Sequence, residues 1–298
     1  MPKKNELISE LIKNKITNSK HIEKFILGTR DSKSLNVLYD KNLDIFFLDK
    51  ILTGDNFYIK QKIEKSINSS WVKLNNKYIS LVNNDDNIHR KKILSKYLEK
   101  KSICDFGCGI GDNFNLLKKF SSKLSGVEIS KKKLHLLKKN FKKIPVKNNI
   151  LNFKNNFDVI TMFHVLAHLP RQIQFLRKIH KKLNKNGILF IETLHSNDLL
   201  SKHIQLKEYN KFRFSKEFLI LHSEKSIKKI LKYVGFTKVN VIFHQRYNYL
   251  NQLNWIYNKK PNGHETLKKF FNKNLDKKIK KTLSDNKKTD TLIILAKK

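Results

Sequence analysis

Between residues 102 and 193, short apolar runs alternate with stretches whose apolar positions recur every three or four residues. Ser102–Phe106, Leu124–Ile129, Phe157–Met162 and Gly187–Thr193 have the length and branching of buried strands. Asp112–Phe120, Lys131–Phe141 and Arg171–Leu183 carry helical spacing, and a poorly matched segment, Ile144–Leu151, falls where a third strand is due. A helix over Asn87–Glu99, with Ile88, Ile93, Leu94, Tyr97 and Leu98 on one side, leads into the first strand. Downstream, the pattern predicts a helix over Ser223–Val234, a strand over Thr237–Gln245 and a last strand over Thr291–Ala296. Strands alternating with helices of this length predict an α/β fold, a Rossmann-like, doubly wound sheet.

The flanks read differently. Residues 1–86 form an N-terminal extension whose apolar positions, as in Leu7, Ile8, Leu11, Ile12 and Ile16, predict mostly helix. Asp44–Asp49 is a short apolar run compatible with a strand or a buried helix. Residues 87–298 make the main domain. Two stretches, about 194–221 and 247–290, exceed what a minimal sheet needs and are expected to form lid or substrate-binding structure. The second is a helical insertion between strands six and seven.

Length and composition narrow the class. A chain of 298 residues, 39% hydrophobic, buries a core and is not wholesale disordered. No apolar run approaches the roughly 18–20 residues of a membrane span, and the N-terminus has no apolar signal region, so a cytoplasmic protein is expected. Cys104 and Cys108 are four apart in a Gly-rich turn, not at zinc or redox spacing, which predicts reduced thiols and no metal site. The net charge of +38 keeps acidic partners, nucleic acid included, in view. Against a dedicated nucleic-acid groove, only six of the 63 basic residues are Arg, and the lysines are spread along the chain.

The chemistry concentrates in Ile103-Cys104-Asp105-Phe106-Gly107-Cys108-Gly109-Ile110-Gly111-Asp112. A strand ends in an acid, and three alternate glycines then open a helix whose first N–H groups are unpaired. A nicotinamide fingerprint would place its third glycine one residue later. The spacing resembles motif I of the class I S-adenosylmethionine-dependent methyltransferases. The resemblance implies a seven-stranded sheet with an antiparallel last strand and S-adenosyl-L-methionine as cofactor. It places Asp105, Gly107, Cys108, Gly109 and Gly111 around that ligand, with Asp105 at its methionine end. Glu128 closes the second strand seventeen residues after Gly111, where the family's acid accepts the ribose hydroxyls. Asn149 and Ile150 fall where the family contacts adenine. Phe163-His164-Val165-Leu166-Ala167-His168-Leu169 resembles the family's His-Val-Leu-Glu-His-Leu segment, with Ala167 in place of Glu, and puts Phe163 beside the cofactor. Lys185-Asn186-Gly187 resembles the turn before strand five. Gln245-Arg246-Tyr247, Asn251, Trp255, Lys260-Pro261-Asn262-Gly263-His264 and Thr289-Asp290-Thr291-Leu292 resemble a bacterial subgroup, with Gln252 replacing its usual His and Asn262 one of its glycines.

Methyl transfer needs an aligned acceptor with a free lone pair, and a hydroxyl acceptor benefits from a base, for which His is suited near neutrality. His164, His168 and Tyr247 are the candidate catalytic residues. His195 closes strand five and also faces the crevice in this fold, and His264 reaches a site only through the insertion. His222, before a helix start, reads as packing or capping. The expected acceptor is a small molecule or sugar, with surface-glycan biosynthesis implied by the subgroup. RNA or protein methylation, drawing on the charge, is the alternative. A methyltransferase-like module without activity is the third reading, motivated by Ala167, Asn149 and Gln252.

Overall fold

The computed structural model describes residues 3–60, 71–74, 77–80 and 85–298. The chain divides into two compact units that interleave along the sequence. One comprises Met1–Leu52, His164–Phe175 and Ile191–Leu295; the other comprises Thr53–Phe163, Leu176–Phe190 and Ala296–Lys298.

A seven-stranded sheet runs in the order Val146–Lys147, Ser121–Val127, Lys101–Phe106, Phe157–Phe163, Leu183–Leu194, Thr291–Lys297, Lys238–His244. Numbered along the chain from Lys101, this is three-two-one-four-five-seven-six. The neighbours on the side of strand three are parallel, with Asp105 opposite Gly126 on one flank and Thr161 on the other. The order reverses between the first and fourth strands, where doubly wound sheets open a ligand crevice at the carboxyl ends of their strands. The apolar runs of the sequence are continuous because these central strands are covered on both faces. Ile103, Cys104, Val159, Ile160 and Met162 are at most 1% exposed. Helices Lys131–Asn140, Gln172–Lys182 and Glu224–Val234 fall where periodicity places them, the last capped by Ser223 at its start and by left-handed Gly235 at its end.

The mainly helical expectation for residues 1–86 is met at Glu6–Lys13, Asp55–Lys60 and the start of Asp85–Leu98, but the segment between the first two is strand. Ile22–Thr29, Ser32–Asp40 and Ile45–Leu48 form an antiparallel sheet, completed by Ile220–Leu221. Period two is hard to see here because the Ile22–Thr29 pairing shifts register twice, between Lys24 and Ile26 and between Leu27 and Thr29. The apolar run Ile45–Leu48 is a strand buried along its whole length, with the Phe46 ring 4.6 Å from Phe25 and 5.4 Å from Phe214. Residues 61–70, 75, 76 and 81–84, also within the helical expectation, lie outside the described residues.

The 247–290 insertion is helical as expected, with helices Tyr249–Asn258, Gly263–Thr266 and Lys273–Asp285. The 194–221 stretch holds one turn of π-helix, Leu199–His203, and helix Lys207–Arg213. No helix among the described residues is long and apolar enough to cross a membrane.

Candidate active site

The glycine elbow begins where strand Lys101–Phe106 ends. Gly107, Gly109 and Gly111 all take left-handed backbone, with φ of 75°, 60° and 92°, which a side-chain-bearing residue adopts only under strain. The elbow is fastened to the second strand, since Gly107 N–H and Cys108 N–H both donate to Val127 carbonyl, at 2.8 and 3.0 Å. Gly109 and Gly111 serve different ends. A Cβ on Gly109 would meet nothing closer than Asp112 Oδ2 at 3.6 Å. At Gly111 it would lie 2.6 Å from the Phe141 ring and 3.2 Å from that of Phe114, so close packing accounts for that glycine.

Glu128 reaches the elbow directly. Its Oε2 accepts Gly109 N–H at 3.0 Å and its Oε1 accepts Ser130 N–H at 2.8 Å. Burial raises its pKa, opposed by Lys133 and by those N–H donors. Asp105 is 1% exposed. Its Oδ1 accepts the Thr161 hydroxyl at 2.8 Å, and its Oδ2 finds no hydrogen-bond partner among the described residues. Burial pushes its pKa up to about 7, against the Thr161 bond, the Arg90 charge and the Asn113 amide, with Asp112 adding repulsion. Asp112 is raised in the same way, to about 6. A buried carboxylate with an open oxygen fits a cationic ligand group, because a partner charge would offset the desolvation.

Arg90 belongs to the same corner, although no motif of the sequence includes it. It lies on helix Asp85–Leu98, 6% exposed, with Nη1 donating to Asn113 Oδ1 at 3.0 Å and its guanidinium 4.5 Å from the Phe163 ring centroid. Its field lowers the pKa of both Asp105 and Asp112. The one available signal was an Arg, rare in this chain, on the helix preceding the elbow. Thr161, inside an apolar strand, was equally silent. Asn149 is exposed and caps a short 3-10 turn, its Oδ1 accepting Leu151 N–H at 3.0 Å, while Ile150 is buried beneath it. Phe163 is half-buried, its ring 5.5 Å from Phe190.

The next residue along the chain, His164, belongs to the other unit. It too has left-handed backbone, φ 56°, held by donation from its N–H to Glu192 carbonyl at 2.8 Å. Its Nε2 lies 2.8 Å from Glu192 Oε1, the carboxylate being 3% exposed and the imidazole 26%. A left-handed residue that is neither Gly nor Asn, paired to a buried acid, is a costly arrangement of the kind functional sites retain. His168 Nδ1–H donates to Glu217 carbonyl at 2.7 Å, and its ring lies against Phe218. His195 is 2% exposed, donates Nδ1–H to Thr289 carbonyl, and burial lowers its pKa to about 4, so it stands neutral. His222 is wholly buried between Gln172 and Ser226, its pKa lowered to about 3 by burial, as its packing reading expects. Tyr247 is 40% exposed, and its ring meets His264 at 5.5 Å and the Arg246 guanidinium at 5.3 Å.

The downstream motifs converge on one carboxylate. Asp290 accepts from Gln245 Nε2 at 2.7 Å, Arg246 N–H at 3.0 Å and the Thr291 hydroxyl at 2.8 Å. Gln-Arg-Tyr and Asp-Thr-Leu thus clamp the end of strand six to the start of strand seven. Gly263 packs where a Cβ would strike Leu250 carbonyl and lie 2.5 Å from Asn254 Cβ.

Residues 82–241, just over half of the chain, match a family model described as a methyltransferase domain. The chain therefore belongs to the methyltransferase-domain family, as a class I S-adenosylmethionine-dependent member. It is 31% identical over 107 residues to a ubiquinone biosynthesis O-methyltransferase of Pelagibacter ubique, covering 34% of this chain and 45% of that protein. It is 30% identical over 118 residues to a tRNA U34 carboxymethyltransferase of Campylobacter lari, covering 36% and 40%. The chain thus spans less than half the length of these curated relatives. Among solved structures, a SAM-dependent methyltransferase from Archaeoglobus fulgidus aligns with a TM-score of 0.49 at 17% identity, over 72% of this chain and 93% of that one.

Proposed function

We propose that this chain transfers a methyl group from S-adenosyl-L-methionine to a small-molecule or sugar acceptor. The observation that carries the cofactor reading is the contact between Glu128 and Gly109 N–H, at a glycine whose Cβ position meets only Asp112 Oδ2, at 3.6 Å, among the described residues. One adenosyl ligand reaching the elbow therefore also reaches the acid. The donor set fits the ligand. Glu128 offers a carboxylate to a diol, Asp105 Oδ2 offers one to an ammonium, and Arg90 supplies the cation for a carboxylate at the same end. When bound, the cofactor supplies an electrophilic methyl on a sulfonium. Asn149, its Oδ1 already capping a turn, retains its amide N–H groups for a purine, and buried Ile150 packs next to it in the chain.

The acceptor side rests on His164. A hydroxyl acceptor must lose its proton as the new bond forms, and His164, oriented by Glu192, is the group suited to take it. His168 and Tyr247 are assigned to acceptor positioning. The similarity to ubiquinone biosynthesis O-methyltransferases supports a small acceptor, and the subgroup resemblance supports a glycan precursor. The reading in which RNA or protein is methylated draws on the net charge of +38.

Calorimetric titration with S-adenosylhomocysteine tests the cofactor site. Micromolar binding is expected in the parent and at least a tenfold loss in Glu128→Gln, with an unchanged circular dichroism spectrum. No binding by the folded parent would leave a scaffold. Transfer of labelled methyl to panels of sugars, nucleotides, RNA and protein then sorts the acceptors.

A further inference from the structure

The amino-terminal edge of the central strands carries a second concave surface, away from the elbow. A groove of about 740 Å³ is formed there by Ser102 at the start of the first strand, Ser121–Ser125 on the second, Pro145 before the third and Phe157 at the start of the fourth. That volume is within the usual range of ligand pockets, about 300–1,000 Å³. Four exposed lysines line it, namely Lys118, Lys123, Lys143 and Lys154, together with Asn155 and Asn156, and among the described residues no Asp or Glu does. Asp158, next to Phe157, is already engaged. Its Oδ2 accepts from Ser102 N–H and hydroxyl, and its Oδ1 accepts from Asn184 at 2.8 Å. Phe153 presents a half-buried ring in the same groove, set edge-on to Phe157 with centroids 5.3 Å apart.

We propose that this groove binds the phosphodiester backbone of single-stranded nucleic acid. Four cations, with no carboxylate among the described lining residues, repel cations and concentrate phosphate. The amides and hydroxyls give direct hydrogen bonds to phosphate and sugar oxygens. A partly exposed aromatic ring beside a basic track is the combination that holds unpaired bases by stacking. Anionic bilayers fit less well, since the lysines ring a concavity instead of projecting from a flat face. The groove and the elbow sit at opposite ends of the same strands, about 15–20 Å apart at some 3.3 Å per residue. The groove is therefore a docking site separate from the cofactor cradle, and the inference stands whether the methyl acceptor is large or small.

The test is fluorescence anisotropy of labelled 12-mer oligo(U) and oligo(dT) on the full chain without cofactor, across a salt series. Two variants with equal charge loss are compared. One is Lys118→Ala, Lys123→Ala, Lys143→Ala, Lys154→Ala; the other is Lys207→Ala, Lys211→Ala, Lys232→Ala, Lys273→Ala, all exposed and in the other unit. The groove variant is expected to bind at least tenfold more weakly than the control variant. Its slope of log affinity on log salt should be shallower by about 3, from four contacts at roughly 0.7 each. Oligo(U) held more tightly than oligo(dT) would assign RNA; equal binding would assign either strand type. Equal losses in the two variants would show diffuse charge only and overturn the proposal. So would no oligonucleotide binding, or binding to anionic vesicles alone. Thermal melts verify that both variants are folded.

Discussion

Replacing Asp105 by Asn sets stability against binding at a single atom. The carboxyl is 1% exposed, and burial chiefly moves its pKa from 3.8 to about 7. The folded chain therefore holds this proton more tightly than the unfolded chain does. Between pH 3.8 and about 7 it binds more protons folded than unfolded, so this group's contribution to stability falls as pH rises through that window. About three pKa units at 1.36 kcal/mol each give a penalty near 4 kcal/mol above pH 7. The same arithmetic leaves about 2 kcal/mol at pH 5 and almost none below pH 4. Asn has the same shape, keeps an oxygen for the Thr161 hydroxyl and carries no charge, while Arg90 retains Asp112 and Asn113. We expect Asp105→Asn to be more stable than the parent at pH 8 by roughly 2–4 kcal/mol, or about 3–6 °C in Tm for a chain of this size. The gain should shrink by about half at pH 5 and vanish near pH 4. Scanning calorimetry of both proteins at the three pH values measures it, and subtracting the parent removes the titrating groups that do not interact with Asp105. The variant should also fail to bind S-adenosylhomocysteine. A variant less stable than the parent at pH 8, or a gain independent of pH, would refute the assignment of a desolvated, charge-poor Asp105.

Further outcomes follow from the same geometry. If the ionised Asp105 holds the ligand's ammonium, S-adenosylhomocysteine affinity in the parent should fall roughly tenfold per pH unit below pH 7, as the carboxyl protonates, and flatten above it; a flat profile from pH 5 to 8 would exclude that contact. A Cβ at Gly126 would lie 2.7 Å from the Phe114 ring and 2.8 Å from Cys108 Sγ, so Gly126→Ala should lose about 1–3 kcal/mol in urea unfolding, and a neutral result would mean the elbow repacks freely. Once an acceptor is identified, His164→Ala should lower kcat by about 10²–10⁴ with S-adenosylhomocysteine affinity within about twofold, and Glu192→Gln should lower it less; unchanged turnover in His164→Ala would remove the base.

Much of the fold lies open in the sequence from residue 102 onward because central parallel strands are buried on both faces and read as unbroken apolar runs, as at Val159-Ile160-Thr161-Met162. The elbow was equally plain, since three left-handed positions demand three glycines at fixed spacing. The N-terminal sheet was obscured where two register shifts in Ile22–Thr29 erase the alternation that marks a half-buried strand. Arg90 and Thr161 were invisible for another reason. Their roles come from proximity to Asp105, which lies 15 residues from Arg90 and 56 from Thr161 along the chain. The Gln245–Asp290 contact spans 45 residues, and although both motifs stand out in the sequence, only the fold shows that they meet.

Cys104 and Cys108 are the only thiols in the chain, one inside the first strand and one within the elbow, at 0% and 3% exposure with ionisation suppressed by burial. An alkylating reagent can reach them only when this corner opens. Their rate of modification is therefore a built-in clock for local breathing of the nucleotide turn, readable by mass spectrometry without introducing any label, and any small molecule that seats there should slow it.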